Sequence, residues 1–570
     1  MHVAKISTKR NGRTYDSFLV RQSYREGDKV MHRTVANLSG LPVAAIDAIR
    51  SVLRGETLAA AESAFEIQRS LPHGHVLSVL GTVRKLGLDK VLSSQSCRER
   101  DLVVGMIVNR LLEPASKLAT TRLWNATTLA ETLAIEDADE NDLYAALDWL
   151  GERQEKIERK LAARHLVNGG LVLYDLSSTY LEGRHCELAA IGYSRDGRRN
   201  TLQIEFGMTT DQDGRPVAVE VFKGNTADPA TVASAVDRIR NRFGLEDVVL
   251  VGDRGMLTSA RIEALKEHGG VAWISSLRAP QIRALVDDGV LQMSLFDERN
   301  LAEISSPDFP GERLVVCKNP LLAKERARKR ESLLQDTEVE LDKIVIRVSA
   351  GRLTDAGEIG VCVGKVIHGR KVAKHFVHEI AEGRFTYRRD QAGIDAEAAL
   401  DGIYVIRTSV DSERLSGLDV VISYKRLTEV ERAFRGLKSV DMQLRPVHHY
   451  LDKRVRAHVF LCMLAYYVQW HLERAWAALL FRDEEPPMRV DPVAPAERSA
   501  AAVRKARTGR LSDGTRAHNL RSLLAQMATL TRNRVVPTGV AAAQPFTMAA
   551  QPTPLQARAL GLLDLTVSSL

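Results

Sequence analysis

Residues 171–175, LVLYD, decide the fold: after Gly169-Gly170 the helical spacing of apolar residues gives way to an unbroken apolar run that ends in an acid. Leu171, Leu173 and Asp175 share one strand face. TLQIEFGMT (201–209) and PVAVEVF (216–222) follow as strands, joined by the turn signal Asp211-Gln212-Asp213-Gly214. ADPATVASAVDRIRNRFG reads as a helix with Asp228 at its cap and Gly244 at its stop. VVLVGD (248–253) reads as a buried strand, TSARIEALKEHGG as a second capped helix and VAWISSL (271–277) as another strand. The order βββαβαβ describes an α/β fold on a mixed sheet with short connections, right-handed where they cross.

Two acids fall at special places in this order. Asp253 ends its strand before Arg254-Gly255, and ligands of such sheets gather at the carboxyl ends of strands. Asp175 lies in the first strand, and the two become neighbours if that strand is central with the VVLVGD strand beside it. Either acid alone is more often a turn or helix cap. The pair says more, because two carboxylates about 4 Å apart repel by roughly 4 kcal/mol at an effective dielectric near 20.

A third acid comes from Ser423–Ser439, SYKRLTEVERAFRGLKS. Val430, Phe434 and Leu437 form an apolar helical stripe, while Tyr424, Leu427, Glu431, Arg435 and Lys438 lie on an adjoining face. In an isolated helix that face reads as solvated ion pairs. Brought to the other two acids, Glu431 makes a cluster that needs protonation or a divalent cation, and oxygen-only ligands favour Mg²⁺ or Mn²⁺ over zinc.

Outside the core the signals are coarser. The 570 residues are too many for one compact core; they are 45% hydrophobic and 27% charged, a globular balance. The net charge of +8 is concentrated in residues 1–34, in Lys324–Arg330 (KERARKR) and in Lys505–Arg521, which points to a polyanion, although solvated helices and loops also carry such runs. The five cysteines show neither paired nor metal-ligand spacing. No signal-like segment is present, and the longest apolar run, Val459–Val468, is short of the roughly 20 residues a membrane span needs, so a cytoplasmic protein without membrane contact is expected. The chain divides into a small β-hairpin module (1–41), an α-helical candidate DNA-binding domain (42–168), the first part of the catalytic core (169–279), a β-rich insertion domain (280–420), the second part of the core with the acidic helix (421–482), and a Pro/Ala-rich helical and flexible carboxyl-terminal region (483–570). His458 reads as a core histidine rather than a ligand.

Taken in order, YDLSSTY with Asp175, GYSRDGRRN, FKGNTAD, VGDRGM with Asp253, and Tyr424–Lys438 resemble the signatures of a bacterial insertion-sequence transposase. The branch is the DDE superfamily named for insertion sequence four, nearest its sixteen-thirty-four group, and the resemblance covers roughly residues 170–473. The family's helix signature is Tyr, two residues, Arg, three residues, Glu, six residues, Lys. Tyr424, Glu431 and Lys438 match it, which selects Glu431 over Glu429. Leu427 stands at the Arg position, and Arg435, one turn beyond Glu431, is the candidate to supply that charge.

The resemblance implies a ribonuclease H-like catalytic core with a β-rich insertion, and Asp175, Asp253 and Glu431 as catalytic and metal-binding residues for two Mg²⁺ (or Mn²⁺) ions. It implies cut-and-paste transposition, with or without a hairpin intermediate: cleavage at transposon ends, then strand transfer into target DNA. Tyr424, Arg435, Lys438, Arg254, Arg195, Arg198 and Arg199 are the candidate DNA contacts. The partner is double-stranded DNA, bound by a homodimer. The alternatives are a metal-dependent nuclease on the same fold without strand transfer, and an inactive DNA-binding derivative.

Overall fold

The structure, a computed structural model, describes all residues except 11, 57–63, 184, 196, 199, 268, 293–295, 298–299, 490, 539–543 and 570. At the amino terminus β1 (His2–Arg10), β2 (Arg13–Glu26) and β3 (Lys29–Asn37) form an antiparallel sheet, one strand more than the hairpin expected there. Val20 and Leu38 pack with Ile46 of the helix Val43–Leu53 into a small separate core. After β4 (Phe65–Pro72) come helices from Gly74 to His165. Among them Glu140–Glu152 opens with a capping box between Asp139 and Asp142, which satisfies two backbone N–H groups of its first turn.

The segment from residue 169 to 279 supplies β5 (Leu171–Tyr180), a short β6 (Ala190–Ile191), β7 (Leu202–Asp211), β8 (Pro216–Lys223), β9 (Val248–Val251) and β10 (Val271–Ser276), which is the expected order with β6 added. Farther on lie β11 (Leu301–Ile304), β12 (Arg313–Lys318), β13 (Phe376–Ala381), β14 (Arg384–Arg389) and β15 (Ile403–Thr408), and near the end β16 (Thr531–Pro537) and β17 (Phe546–Ala549). Nine of these strands form one mixed sheet in the order β11-β12-β15-β10-β9-β5-β7-β6, with β8 also on β7. β5 is central, antiparallel to β7 and parallel to β9. All four residues of β9 are buried, as are seven of the ten in β5, which is why these strands read as apolar runs without alternation.

Residues 280–420 are not the β-rich insertion expected. KIVIRVS (343–349) ends a 30-residue helix, Pro320–Ser349, and EIGVCVGKVI (358–367) belongs to the helix Ala356–Gly369. Leu334, Leu341, Ile344 and Val348 recur at helical spacing and pack on Ile359, Val363 and Ile367 to make the insertion's own core. Among the described residues only the β13-β14 hairpin is a separate sheet there, while β11, β12 and β15 extend the large one.

The single helix expected over residues 424–440 is broken. Gly417–Lys425 and Leu427–Arg435 meet at Arg426, and a π turn follows at Gly436–Val440. Described parts of the carboxyl-terminal region pack against the rest of the chain, where flexibility was expected: β16 pairs with β4 and β17, and Trp476 Nε1 donates to the Ala559 carbonyl at 2.9 Å. Phe434 docks the Glu431 helix on the sheet, its ring edge-on to Phe206 at 5.3 Å. We expect Phe434→Ala to cost about 3–5 kcal/mol, read as a lower urea midpoint for loss of the core helix signal.

Candidate functional site

The register of β5 and β9 builds the site. Their last paired residues are Leu173 and Val251, and Asp175 and Asp253 each come two positions later, Asp175 still within β5 and Asp253 just past the end of β9. Asp253 is anchored as it leaves the sheet, its Oδ1 accepting the N–H groups of Gly255 and Met256, both at 2.9 Å. Asp175 Oδ1 accepts the Leu176 N–H at 2.8 Å. Burial pushes the Asp175 carboxyl up to about 7, against the pull of that N–H, and the charges of Asp253 and Glu431 push the same way. Glu431 is exposed on its helix. Glu429 turns elsewhere: it pairs with Arg432 at 2.7 Å, and its Cβ crowds Gly214 in the β7-β8 turn.

Tyr424 ends the preceding helix with its hydroxyl 2.8 Å from Ser276 Oγ. Burial first, then Asp253 and Asp175, raise its pKa, and Arg254 opposes them. Leu427 is buried, and Arg426 reaches the Gln212 carbonyl at 3.0 Å, so neither brings charge to the acids. Arg435 is exposed one turn past Glu431, and Lys438 is buried on the π turn.

The arginines of GYSRDGRRN part ways. Arg195 points inward, Nη2 2.5 Å from Asp228 and Nη1 3.6 Å from Glu205. Arg198 is exposed with its guanidinium 3.9 Å over the Tyr180 ring, and Arg199 lies outside the described residues. Arg254 is exposed and borders a groove of about 730 Å³ between the helices Ala279–Asp287 and Pro320–Ser349, with Arg283, Arg326, Lys329, Lys371 and Lys374 on its walls. The basic run 324–330 therefore faces the same opening as Arg254.

Two acids escaped the sequence reading as site residues. Asp228, read there as a helix cap, lies at the first turn of Asp228–Asp237. A Cβ on Gly255 would stand 3.2 Å from Asp253 Oδ1 and 3.5 Å from Asp228 Oδ2. Glu205 is buried in β7 and pushed up to about 7 by burial, which outweighs Arg195. Its only signal was a charge inside an apolar strand.

The donors near Asp175 are carboxylate oxygens with an excess of negative charge, the set a hard divalent cation would fit. Among the described residues no three His, Cys, Asp or Glu side chains stand close enough to hold one ion together.

The profile of the transposase DDE domain matches residues 182–468, which takes in Asp253 and Glu431 and starts after Asp175. The profile of the IS1634 family transposase N-terminal domain matches residues 3–66. Among solved structures, the chain is similar to the piggyBac transposase in a synaptic complex with hairpin DNA, with 8% identity, a TM-score of 0.34, and coverage of 80% of this chain and 76% of that one. A likeness that distant bears on neither fold nor function. No curated protein matches the chain.

Folded Asp175 keeps its proton to about pH 7, whereas the unfolded chain releases it near 4, so metal-free stability falls as pH rises between those values. Asp175→Asn removes that loss. In chelator-treated buffer the variant should match the wild type at pH 4 and exceed it by about 2–4 kcal/mol at pH 8, read from paired unfolding midpoints.

Proposed function

We propose that this chain, which belongs to the transposase DDE domain family and begins with the IS1634 family's amino-terminal domain, excises a mobile DNA element and inserts it elsewhere by phosphoryl transfer at Asp175, Asp253 and Glu431. What supports the reading is that Asp253 and Glu431, from two distant segments, both act electrostatically on the half-buried Asp175 and raise its pKa. The strand order β8-β7-β5-β9-β10, in which only β7 runs against the others, supports a ribonuclease H-like core.

Asp175 would share both of two divalent ions, with Asp253 on one and Glu431 on the other, an assignment that asks for only two of these carboxylates around each ion. Bound Mg²⁺ or Mn²⁺ would stabilise the attacking and leaving oxygens of an in-line displacement. Water adds to the scissile phosphorus at the element's end, and the 3′-oxygen leaves as a hydroxyl. That hydroxyl then attacks a target phosphodiester and displaces a second 3′-oxygen, so phosphodiester bonds are conserved in the joining step. Arg254, Arg435 and the groove cations hold the DNA backbone, which fixes position without reading bases. Tyr424 and Lys438 form the wall that receives a terminal phosphate. Arg195 holds Asp228 and Glu205 beside Asp175 and orients the acids rather than the DNA. Joining two ends calls for two copies of the chain on DNA.

Ala at Asp175, Asp253 or Glu431 should lower Mg²⁺-dependent cleavage of end-bearing duplex by about 10³-fold or more while binding persists, and Glu429→Ala should cleave as the wild type does. Full cleavage by Glu431→Ala refutes the assignment. Labelled ends that are cut but never joined would favour a nuclease without strand transfer. Arg326→Ala with Lys329→Ala should lower the slope of log K against log salt by about 1–2, as two phosphate contacts are lost.

A further inference from the structure

A second cluster, of cationic and imidazole side chains, gathers around another pocket. A pocket of about 270 Å³ opens where the helical amino-terminal region meets the segment after the π turn. Arg110, Lys117, Arg445, His448, His449 and His458 line it, and no Asp or Glu is among its lining residues. Arg110 is 7% exposed and Lys117 5%. Arg110 Nη1 donates to the Met442 carbonyl at 3.4 Å, a neutral acceptor at the limit of hydrogen bonding. Burial, and then Arg110 itself, press the Lys117 ammonium down to about 7. His458, 6% exposed, has an Nδ1 without a hydrogen-bond partner among the described residues, and its ring stands 4.8 Å from that of His449. His448 faces outward, 3.8 Å from Glu182.

Taking a guanidinium and an ammonium out of water costs several kcal/mol for each ion unless a counter-charge is supplied. Lysine can shed its proton; arginine cannot. An arginine buried among further donors is therefore a standing demand for an anion, and multiple donors converging on one small space suit an oxyanion with several acceptor lone pairs. The pocket falls just below the roughly 300–1,000 Å³ that drug-sized ligands occupy, which leaves room for a phosphoryl group with little more than its sugar.

We propose that this pocket binds a phosphate group through Arg110, Lys117 and His458. Two sources share that chemistry. Val447, between the lining residues Pro446 and His448, bridges to Leu181 at the end of β5, the strand that carries Asp175. DNA leaving the carboxylates past the end of β5 would bring a backbone phosphate to the pocket, a source that rests on the transposase reading above. A free phosphate or phosphomonoester needs no such reading.

The test is calorimetric titration of the full-length protein with inorganic phosphate in divalent-free buffer, repeated with Lys117→Met and Lys117→Gln. Removing a buried, uncompensated charge leaves the fold intact or firmer, which the unfolding midpoints of both variants check. Wild-type binding that weakens at least about tenfold in both variants supports the site. Displacement of phosphate by saturating duplex then identifies DNA as the source, and undisturbed phosphate binding identifies a free ligand. No phosphate binding, but duplex affinity reduced in both variants, also supports the DNA source. Equal phosphate binding in all three proteins overturns the proposal. So does its absence from the wild type together with unaltered duplex affinity in the variants. No arm requires cleavage, so the carboxylate variants test the transposition chemistry separately.

Discussion

The parallel pairing of β5 with β9 is the constraint on which the rest depends. It places Asp175 and Asp253 two positions past the same residue pair, where burial first and then the charges of Asp253 and Glu431 press Asp175 toward its neutral form. A sheet whose centre carries this penalty has to be covered well elsewhere. The helix Asp452–Ala475, with sixteen buried residues, joins the sheet to the amino-terminal helices in one continuous core. The acids are thus held by the most heavily packed part of the chain, while the groups that would meet DNA stand at its margins.

Around that pair the chain balances charge unevenly. Arg195 is drawn inward by Asp228 and Glu205, so one cation serves two acids next to a third. Arg254 and the cations of the Pro320–Ser349 helix open outward into the groove. Negative charge is compensated sparingly near Asp175, and positive charge accumulates along the groove that Arg254 borders. A polyanion requiring a cation at its reacting centre meets both conditions.

Much of this was legible in the sequence where burial writes a simple pattern. LVLYD and VVLVGD read as apolar runs because most of their residues are buried on either face, and their order predicts the central sheet. KIVIRVS failed because seven residues cannot separate a period of 2 from one of 3.6, and its β-branched content favoured a strand; only Leu341 and Leu334, about one and three turns upstream of Ile344, give the helical answer. The break at Arg426 depends on contacts with the Gln212 carbonyl, far off in sequence. Asp228 passed for a cap because local pattern cannot show that Arg195 lies beside it. The phosphate-binding pocket was invisible for the same reason: Lys117 and His458 sit on separate helices, and each looks ordinary on its own.

The pairing of β4 with β16 carries a consequence for how the polypeptide is made. On the ribosome, β4 emerges early and waits without its partner until residues 531–537 have been synthesised, after the whole nine-stranded sheet. Synthesis that stops short can yield a folded acidic centre, but never a finished lobe around β4. Completion of translation is thereby built into the architecture as a condition for a fully assembled enzyme.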